Sequence, residues 1–165
     1  MNQGISVRIC YCLITFLFLA GPTVNVYSQN REAPLHLFEK LVEGEWRLEN
    51  SVQTFEWGLG KMSVVAKGYI LNEGKKILAS EGYWYWHPGK QRIEGVFTAI
   101  NMPVVFFDYN TAIRGDSLIS DIVAYDQNGK ESKYVEIIYV GNDNSYSWSL
   151  MQNGTAIMEG TFKRQ

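Results

Sequence analysis

Apolar and polar positions alternate along most of the chain after residue 45, and turn residues recur every 8 to 12 positions or so. The clearest alternation is in 145–151, where Tyr146, Trp148 and Leu150 are separated by serines. A strand places alternate side chains on opposite faces, so these three side chains are predicted to face inward. The pattern predicts ten strands, at 45–50, 53–59, 61–71, 76–87, 91–100, 105–114, 117–126, 132–140, 145–151 and 155–163.

The connections between these strands carry turn residues. The strongest are Asn128-Gly129 and Asn153-Gly154, because a type I′ hairpin turn needs positive φ at both central residues. Consecutive hairpins with almost no helix between them predict a meander. The remaining turns are predicted at 59–61, 72–74, 88–89, 114–116 and 141–144.

One short helix is predicted before the first strand. Leu35, Phe38 and Leu41 have near-helical spacing behind Pro34, which suits a first helical turn. Gly44 then provides a left-handed end to the helix. A long meander also exposes two sheet edges, and closure into a barrel removes them. The sequence therefore predicts an all-β fold, an up-and-down antiparallel β-barrel of about 8–10 strands with a short N-terminal helix; a sandwich is the alternative.

The first 28 residues differ from the rest. Arg8 precedes an apolar run of about a dozen residues, and small residues lie before a cleavage position after Ser28. This pattern predicts a signal peptide at 1–28 and one barrel domain at 29–165, exported to the periplasm or the extracellular space. A retained anchor is the alternative. Both cysteines, Cys10 and Cys12, lie in the predicted signal, so the mature domain has no thiol chemistry.

Charge narrows the choice of partners. Removing the predicted signal leaves 14 basic and 17 acidic residues, a net charge of −3. A mildly acidic chain without a basic cluster predicts no nucleic-acid binding and no attraction to anionic membranes. We expect no stable membrane insertion after signal cleavage, and a monomer or a homodimer.

The hairpin formed by 77–87 and 92–100 carries the most informative pattern. Four aromatic residues in a row, Tyr83 to Trp86, place large rings on both faces of one strand. If Tyr83 and Tyr85 face the lumen with Glu81, the barrel encloses an aromatic pocket with a few polar groups. In the opposite phase, Trp84, Trp86 and Phe97 fill the barrel and the carboxylates point to water. The pattern leaves both phases open.

The layout, with Gly44-Glu45-Trp46 at the start of the first strand after a short helix, resembles the lipocalin superfamily, or calycins. It is more closely similar to a bacterial family of lipocalin-like barrels classed as domains of unknown function. The matching pieces there are Leu41 to Trp46, Gly60-Lys61 and a final strand with an internal Glu, Met158 to Arg164. This resemblance implies a barrel with one closed end, across which Trp46 packs.

No cofactor or metal site is predicted. The chain has two histidines, His36 and His87, and neither lies in a spacing typical of zinc ligands. Nitrobindin-like haem barrels are related, but they use a histidine near the C-terminal strands, and none follows His87. Neither a Gly-x-Ser-x-Gly elbow nor a Gly-rich phosphate loop is present.

The main hypothesis is an exported barrel that binds a small hydrophobic or aromatic molecule, because 23 of 165 residues are aromatic in a fold with room for a cavity. One alternative is a cofactor-free isomerase, cyclase or hydrolase that uses Glu56, Glu81 or Glu94 as acid or base. Another is a filled barrel that serves as a protein-interaction module through exposed Trp84 and Trp86. The predicted ligand-binding residues are Glu56, Trp57, Glu81, Tyr83, Tyr85, Glu94 and Trp148.

Overall fold

A computed structural model describes residues 33–165 of the chain; the predicted signal peptide lies outside the described residues. The described part is all-β, with ten strands separated by short turns. The strands are β1 (Glu45–Leu48), β2 (Ser51–Trp57), β3 (Ser63–Asn72), β4 (Lys75–His87), β5 (Arg92–Ala99), β6 (Phe106–Arg114), β7 (Ser117–Tyr125), β8 (Glu131–Asn142), β9 (Ser145–Gln152) and β10 (Thr155–Arg164).

Every strand pairs antiparallel with its neighbours in sequence, and β1 also pairs with β10, so the sheet is a closed barrel. Trp46 lies opposite Arg164 at the closing seam. The predicted up-and-down barrel is confirmed, and closure leaves no unpaired edge among the ten strands. Within residues 33–165, no helix is long and apolar enough to cross a membrane.

The predicted N-terminal helix is present as a 3₁₀ helix, His36–Lys40, rather than a longer α-helix. A second 3₁₀ turn, Leu59–Lys61, joins β2 to β3. The N-terminal helix closes one end of the barrel, where Phe38 and Leu41 are 0% exposed. Five residues are enough because this helix only has to fill the end of the core. We call this end of the barrel the helix end.

Trp46 and Arg164 fix the helix end. The Trp46 indole nitrogen donates a hydrogen bond to the Leu41 carbonyl at 2.8 Å, and the Arg164 guanidinium lies 4.3 Å from the centre of the Trp46 ring. Arg164 also donates hydrogen bonds to the backbone carbonyls of Lys40, Glu43 and Asp143. One side chain of the last strand therefore ties the N-terminal helix to the barrel.

The half of the lumen next to the helix end is filled. Rings of Phe38, Trp46, Phe55, Trp84 and Tyr146 contact one another with centroids 5.0–6.4 Å apart. The inward face of the strands adds aliphatic side chains to this core, namely Val64, Ile93, Leu118, Ile138 and Val140. This half of the barrel is solid, as in other small barrels whose side chains meet at the axis.

Glycines make room for the largest of these side chains. A methyl group at Gly82 would overlap the Phe97 ring and the Val96 carbonyl, and one at Gly95 would come within 2.9 Å of the Trp84 ring. Gly82 and Gly95 lie opposite Phe97 and Trp84 in the β4–β5 pairing. The two rings therefore occupy the space that a Cβ atom would need, and they supply the packing that a glycine in a strand lacks.

The other end of the barrel is formed by the turns between β1 and β2, β3 and β4, β7 and β8, and β9 and β10, together with residues 100–105. We call this end the mouth. Ile70 and Ile77 lie opposite each other on the inward face there and are 41% and 47% exposed; inward-facing Met158 is 54% exposed. Below them the inward side chains of Phe97, Phe107, Tyr109, Trp148 and Leu150 are also only partly buried, so this half of the lumen is less completely filled than the other half. We call it the cup.

Candidate functional site

The phase of β4, meaning which set of its alternating side chains faces inward, decides which side chains line the lumen. Trp84 is 4% exposed and its ring contacts Phe97 at 4.5 Å, whereas Tyr83 is 47% exposed. The structure therefore adopts the second phase, in which Trp84, Trp86 and Phe97 face inward. Buried Trp84 and half-buried Trp86 also form no exposed contact patch, so that form of the interaction-module prediction is wrong.

Five of the seven predicted ligand-binding residues point away from the lumen. Tyr83 and Tyr85 form a pair of rings 5.8 Å apart on the outer face, next to Glu81, which lies 3.7 Å from the Lys67 ammonium group. Glu56 is exposed on the outer face of β2. The prediction that these side chains line the cup is therefore corrected. Because strand side chains alternate, choosing the wrong residue of an adjacent pair as inward-facing places the whole strand pattern on the wrong face.

Glu94, the fifth outward residue, belongs to an ionic cluster. Its carboxylate accepts hydrogen bonds from Lys90 at 2.8 Å, from Arg92, and from the Tyr85 hydroxyl at 3.2 Å. The hydrogen bonds from Lys90 and then Arg92 lower the pKa of Glu94 to about 2. Glu94 is therefore a permanent anion at neutral pH, which does not suit the acid–base role considered for it.

The two remaining residues face inward but lie apart. Trp57 is at the helix end, where the Lys61 ammonium group lies 5.4 Å from its ring centre. Trp148 lies on β9 in the cup half, packed against the buried core. The inward direction of Tyr146, Trp148 and Leu150 is as the alternation predicted. The role of Trp57 and Trp148 in binding stays a prediction.

A row of polar side chains crosses the lumen wall at mid-height. Thr111, Ser120 and Glu136 lie directly opposite one another on β6, β7 and β8, and they are 4%, 2% and 7% exposed. The Thr111 and Ser120 hydroxyls are hydrogen-bonded at 2.9 Å. We call these three residues the polar row. Three neighbouring buried polar groups in a largely apolar lumen cost folding free energy, which makes the row a candidate site.

Glu136 is the centre of this candidate site. Its Oε1 accepts a hydrogen bond from the Trp148 indole at 2.8 Å, while its Oε2 is buried and has no hydrogen-bond partner. Burial raises the pKa of Glu136 to about 7, although the hydrogen bond from Trp148 acts in the opposite direction. A carboxyl group with this pKa is present in both the acid and the anionic form at neutral pH.

Aromatic side chains surround the carboxyl. Burial, and secondarily the charge of Glu136, raise the pKa values of Tyr109 and Tyr146, so both phenols stay protonated. The Tyr146 hydroxyl donates to the side-chain carbonyl of Gln53 at 2.5 Å. Tyr109 contacts the Phe97 ring at 4.9 Å. Phe97, Tyr109, Trp148 and Leu48 are only partly buried and face inward, so they form the floor of the cup.

Trp84 contributes a second unpaired polar atom to the lumen. Its indole N–H is buried and has no hydrogen-bond partner, and its ring stands edge-on to Tyr109 at 5.7 Å. A buried indole N–H usually finds an acceptor. The middle of the lumen thus holds both a donor and an acceptor that the described side chains leave unpaired.

Two depressions on the surface lie at the helix end, away from this site. One, of about 560 Å³, lies between the N-terminal helix and the β6–β7 turn and is lined by Leu37, Lys40, Ile113 and Asp116 among others. The other, of about 150 Å³, lies beside Trp57 and Trp86. Neither contains the buried carboxyl, and we assign no chemistry to them. Among the described residues, no cluster of three or more His, Cys, Asp or Glu side chains could hold a metal.

Sequence reasoning missed Glu136, although the sequence contains a signal for it. Glu136 is the one charged residue in the apolar run 134–140, where both strand faces carry large side chains. The run does not show which face of the strand is inward, so the sequence is equally compatible with Glu136 facing the lumen or facing solvent. Only the pairing of Glu136 with Ser120 places it inside the barrel.

Comparison with known proteins adds nothing to this site: a scan against protein-family models, a search of the curated proteins and a search of the solved structures each found no match to this chain. The strand order and the closed ten-stranded antiparallel barrel are consistent with a calycin-like fold.

Proposed function

We propose that this protein is an exported barrel that binds a small, largely apolar molecule in its cup, with Glu136 as the polar anchor. The observation that carries the proposal is the buried Oε2 atom of Glu136, which has no hydrogen-bond partner inside an aromatic lumen. Small-molecule sites are usually apolar cavities with few convergent polar groups, and this lumen has that character. A ligand polar group would satisfy the oxygen.

The wider assignment belongs to the same proposal. We propose that residues 1–28 direct export to the periplasm or the extracellular space, and that the barrel is a distant calycin with Trp46 in the position of the superfamily's Gly-x-Trp tryptophan. Its support is the position of Trp46, which is 0% exposed and packs across the closed helix end. Periplasmic and extracellular fractions of the host, separated and probed for the protein, test the location.

Titration of the mature chain, residues 29–165, with N-phenyl-1-naphthylamine tests cup binding. This uncharged apolar probe fluoresces when it leaves water. We expect saturable binding at one site and loss of that binding in Ser132→Trp, because Ser132 lies on the inward face near the mouth, opposite buried Ala124. The added indole would fill the cup.

Lys133→Trp is the matched control for this test. Lys133 is the adjacent residue on β8, is exposed and points outward, so the same indole added there leaves the cup empty. Binding that survives Ser132→Trp, with both variants folded by circular dichroism, would place the site elsewhere. Absence of any saturable binding by the unmodified chain would contradict the proposed function.

A second function is favoured by one observation, the carboxyl of Glu136 with a pKa near 7 in a cup that opens at the mouth. General acid–base catalysis works best when the pKa of the catalytic group is close to the operating pH. In this alternative, Glu136 transfers a proton to or from an apolar substrate in an isomerase- or hydrolase-type reaction. Turnover abolished by Glu136→Gln while the bound probe retains its affinity would favour catalysis over simple binding.

A further inference from the structure

The charges that face the lumen restrict what the cup can hold. Among the described strand residues, Glu136 is the one carboxyl on the inward face. Two cations share the inward alternation but lie at the ends of the barrel: Lys75 is exposed beside the β3–β4 turn, and Arg164 at the helix end lies on the Trp46 ring. The charged side chains of the flanking strands β6, β7 and β8 alternate outward and are exposed; they are Asp108, Arg114, Asp121, Glu131 and Lys133. The described lumen therefore offers an anion but no counter-charge.

An ionised carboxylate in an apolar lumen is stable only when a positive group pairs with it. The hydrogen bond from Trp148 meets one oxygen of Glu136 but brings no charge, and Oε2 has no partner. A ligand with a hydroxyl group would satisfy Oε2 without neutralising it. Above about pH 7, where Glu136 is ionised, a ligand with a carboxylate would add a second negative charge at the same place, so the site then opposes fatty acids.

Aromatic rings line the floor of the cup near the carboxyl, and Trp148 meets the carboxyl through its indole N–H. Phe97, Tyr109 and Trp148 form the floor of the cup with Leu48, and Phe97 and Tyr109 lie in contact at 4.9 Å. The faces of aromatic rings carry partial negative charge and attract a cation. Aromatic rings next to a single carboxylate are the surroundings that favour an ammonium group over a neutral or an anionic group.

We infer that the ligand of the cup is a hydrophobic amine, whose ammonium group ion-pairs with Oε2 of Glu136 while its apolar part lies towards the mouth. This inference rests on the proposed function and names the class of its ligand. The apolar inward side chains of the mouth, Ile70, Ile77 and Met158, provide the surface for the apolar part.

Binding of such a cation is expected to depend on pH. In the empty barrel Glu136 holds its proton to about pH 7, so an ammonium ion must displace that proton at lower pH. The other titratable groups that face Glu136 are the phenols of Tyr109, Tyr146 and, on its own strand, Tyr134; Ser120 and Leu150, its cross-strand neighbours, do not titrate. Affinity should rise about tenfold per pH unit up to about pH 7 and then level off.

The test compares three probes with the same chain: octylammonium, octan-1-ol and octanoate, each titrated calorimetrically into the mature chain at pH 5, 6, 7 and 8. We expect octylammonium to bind at least about tenfold more tightly than octan-1-ol at pH 8. At pH 8, where Glu136 is ionised, octanoate should bind more weakly than either. Glu136→Gln, which keeps the shape of the side chain, should remove the preference for the amine together with its pH dependence.

Glu81→Gln is the matched control, because it removes one carboxylate from the outer face of the barrel and should leave the three affinities unchanged. Equal affinities for octylammonium and octan-1-ol, insensitive to Glu136→Gln, would overturn the amine assignment and leave cup binding in place. The tightest binding by octanoate at pH 8 would also overturn it. If none of the three probes binds but N-phenyl-1-naphthylamine does, the amine assignment fails and cup binding stands; if N-phenyl-1-naphthylamine does not bind either, both fail.

Discussion

In the unfolded chain the Glu136 carboxyl ionises near its ordinary pKa of about 4.5, whereas in the folded barrel burial keeps it protonated to about pH 7. Between these two values the folded state binds one more proton than the unfolded state. Stability therefore falls as pH rises from about 4.5 to about 7, and it is constant above that range as far as this group is concerned.

Glu136→Gln should remove this loss of stability. At pH 8 we expect the variant to be more stable than the unmodified chain by as much as about 3 kcal/mol, and the difference should vanish near pH 4. The amide oxygen can still accept the hydrogen bond from Trp148. Urea unfolding of both chains at a series of pH values measures the difference; parallel pH profiles would mean that Glu136 is solvated.

Substitutions on the two faces of the wall should separate ligand contact from surface. Trp148→Phe removes the indole N–H that orients Glu136, so it should weaken the binding of octylammonium several-fold. Tyr83→Leu changes a ring that is 47% exposed on the outer face and should leave that affinity unchanged. Fluorescence or calorimetric titration of the two variants decides this. Loss of affinity in Tyr83→Leu but not in Trp148→Phe would indicate instead that Tyr83 and Tyr85 face the lumen.

At the scale of the elements, the β4–β5 hairpin depends on the contact between bare backbone and aromatic rings. Gly82→Ala places a methyl group against the Phe97 ring and the Val96 carbonyl. Because backbone cannot give way as a flexible side chain can, we expect a loss of about 2 kcal/mol or more in unfolding free energy.

Gly89→Ala is the control for this substitution. Gly89 lies in the β4–β5 turn, and a methyl group there would meet only the His87 ring at 3.4 Å, an ordinary van der Waals distance. Thermal unfolding of the two variants compares the positions directly. Similar small losses for both would mean that the hairpin tolerates the methyl group, and that the close fit of Phe97 over Gly82 does not hold in solution.

The elements were largely predictable because turn chemistry and strand alternation are local properties. All ten strands lie within about three residues of their predicted bounds. The turns differ in detail: Asn153 and Gly154 both have positive φ, as a type I′ turn requires, but at Asn128-Gly129 only the glycine does. There the Asp126 carboxylate accepts hydrogen bonds from the backbone N–H groups of Asn128 and Lys130, and this fixes a different turn.

The site was less predictable because phase is a property of pairing. In 83–86 and 134–140 both faces carry large side chains, so the local pattern gives no preferred direction. The phase is set by cross-strand partners such as Ser120 for Glu136 and Gly95 for Trp84, which are distant in sequence. For this reason carboxylates that seemed to share an aromatic face, such as Glu81, point outward.

At the scale of the whole molecule, the barrel combines a solid half with a hollow half. The helix end carries the N-terminal helix, Trp46 and the buried aromatic rings, and the mouth carries half-exposed inward side chains. The helix end thus contributes mainly to stability and the mouth half mainly to binding, and the polar row lies between them. Substitutions at the helix end should affect stability while leaving the cup intact.

Arg164→Gln tests this division. The substitution removes the guanidinium that lies on Trp46 and bonds the Lys40, Glu43 and Asp143 carbonyls, so we expect a loss of about 1–3 kcal/mol in unfolding free energy. Affinity for N-phenyl-1-naphthylamine should stay the same at a temperature where the variant is folded. Lys163→Gln, next to it on the outer face, should change neither quantity. A large loss of affinity in Arg164→Gln would show that the two ends are coupled.

A pH titration of the Glu136 carboxyl carbon by NMR in the mature chain measures most directly whether Glu136 lies inside the barrel. We expect a midpoint near 7, because the lumen desolvates the carboxyl. Glu136→Gln identifies the signal by its disappearance. A midpoint near the ordinary value of about 4.5 would mean that the carboxyl faces water, which would contradict the register of β8 and the binding site built on it.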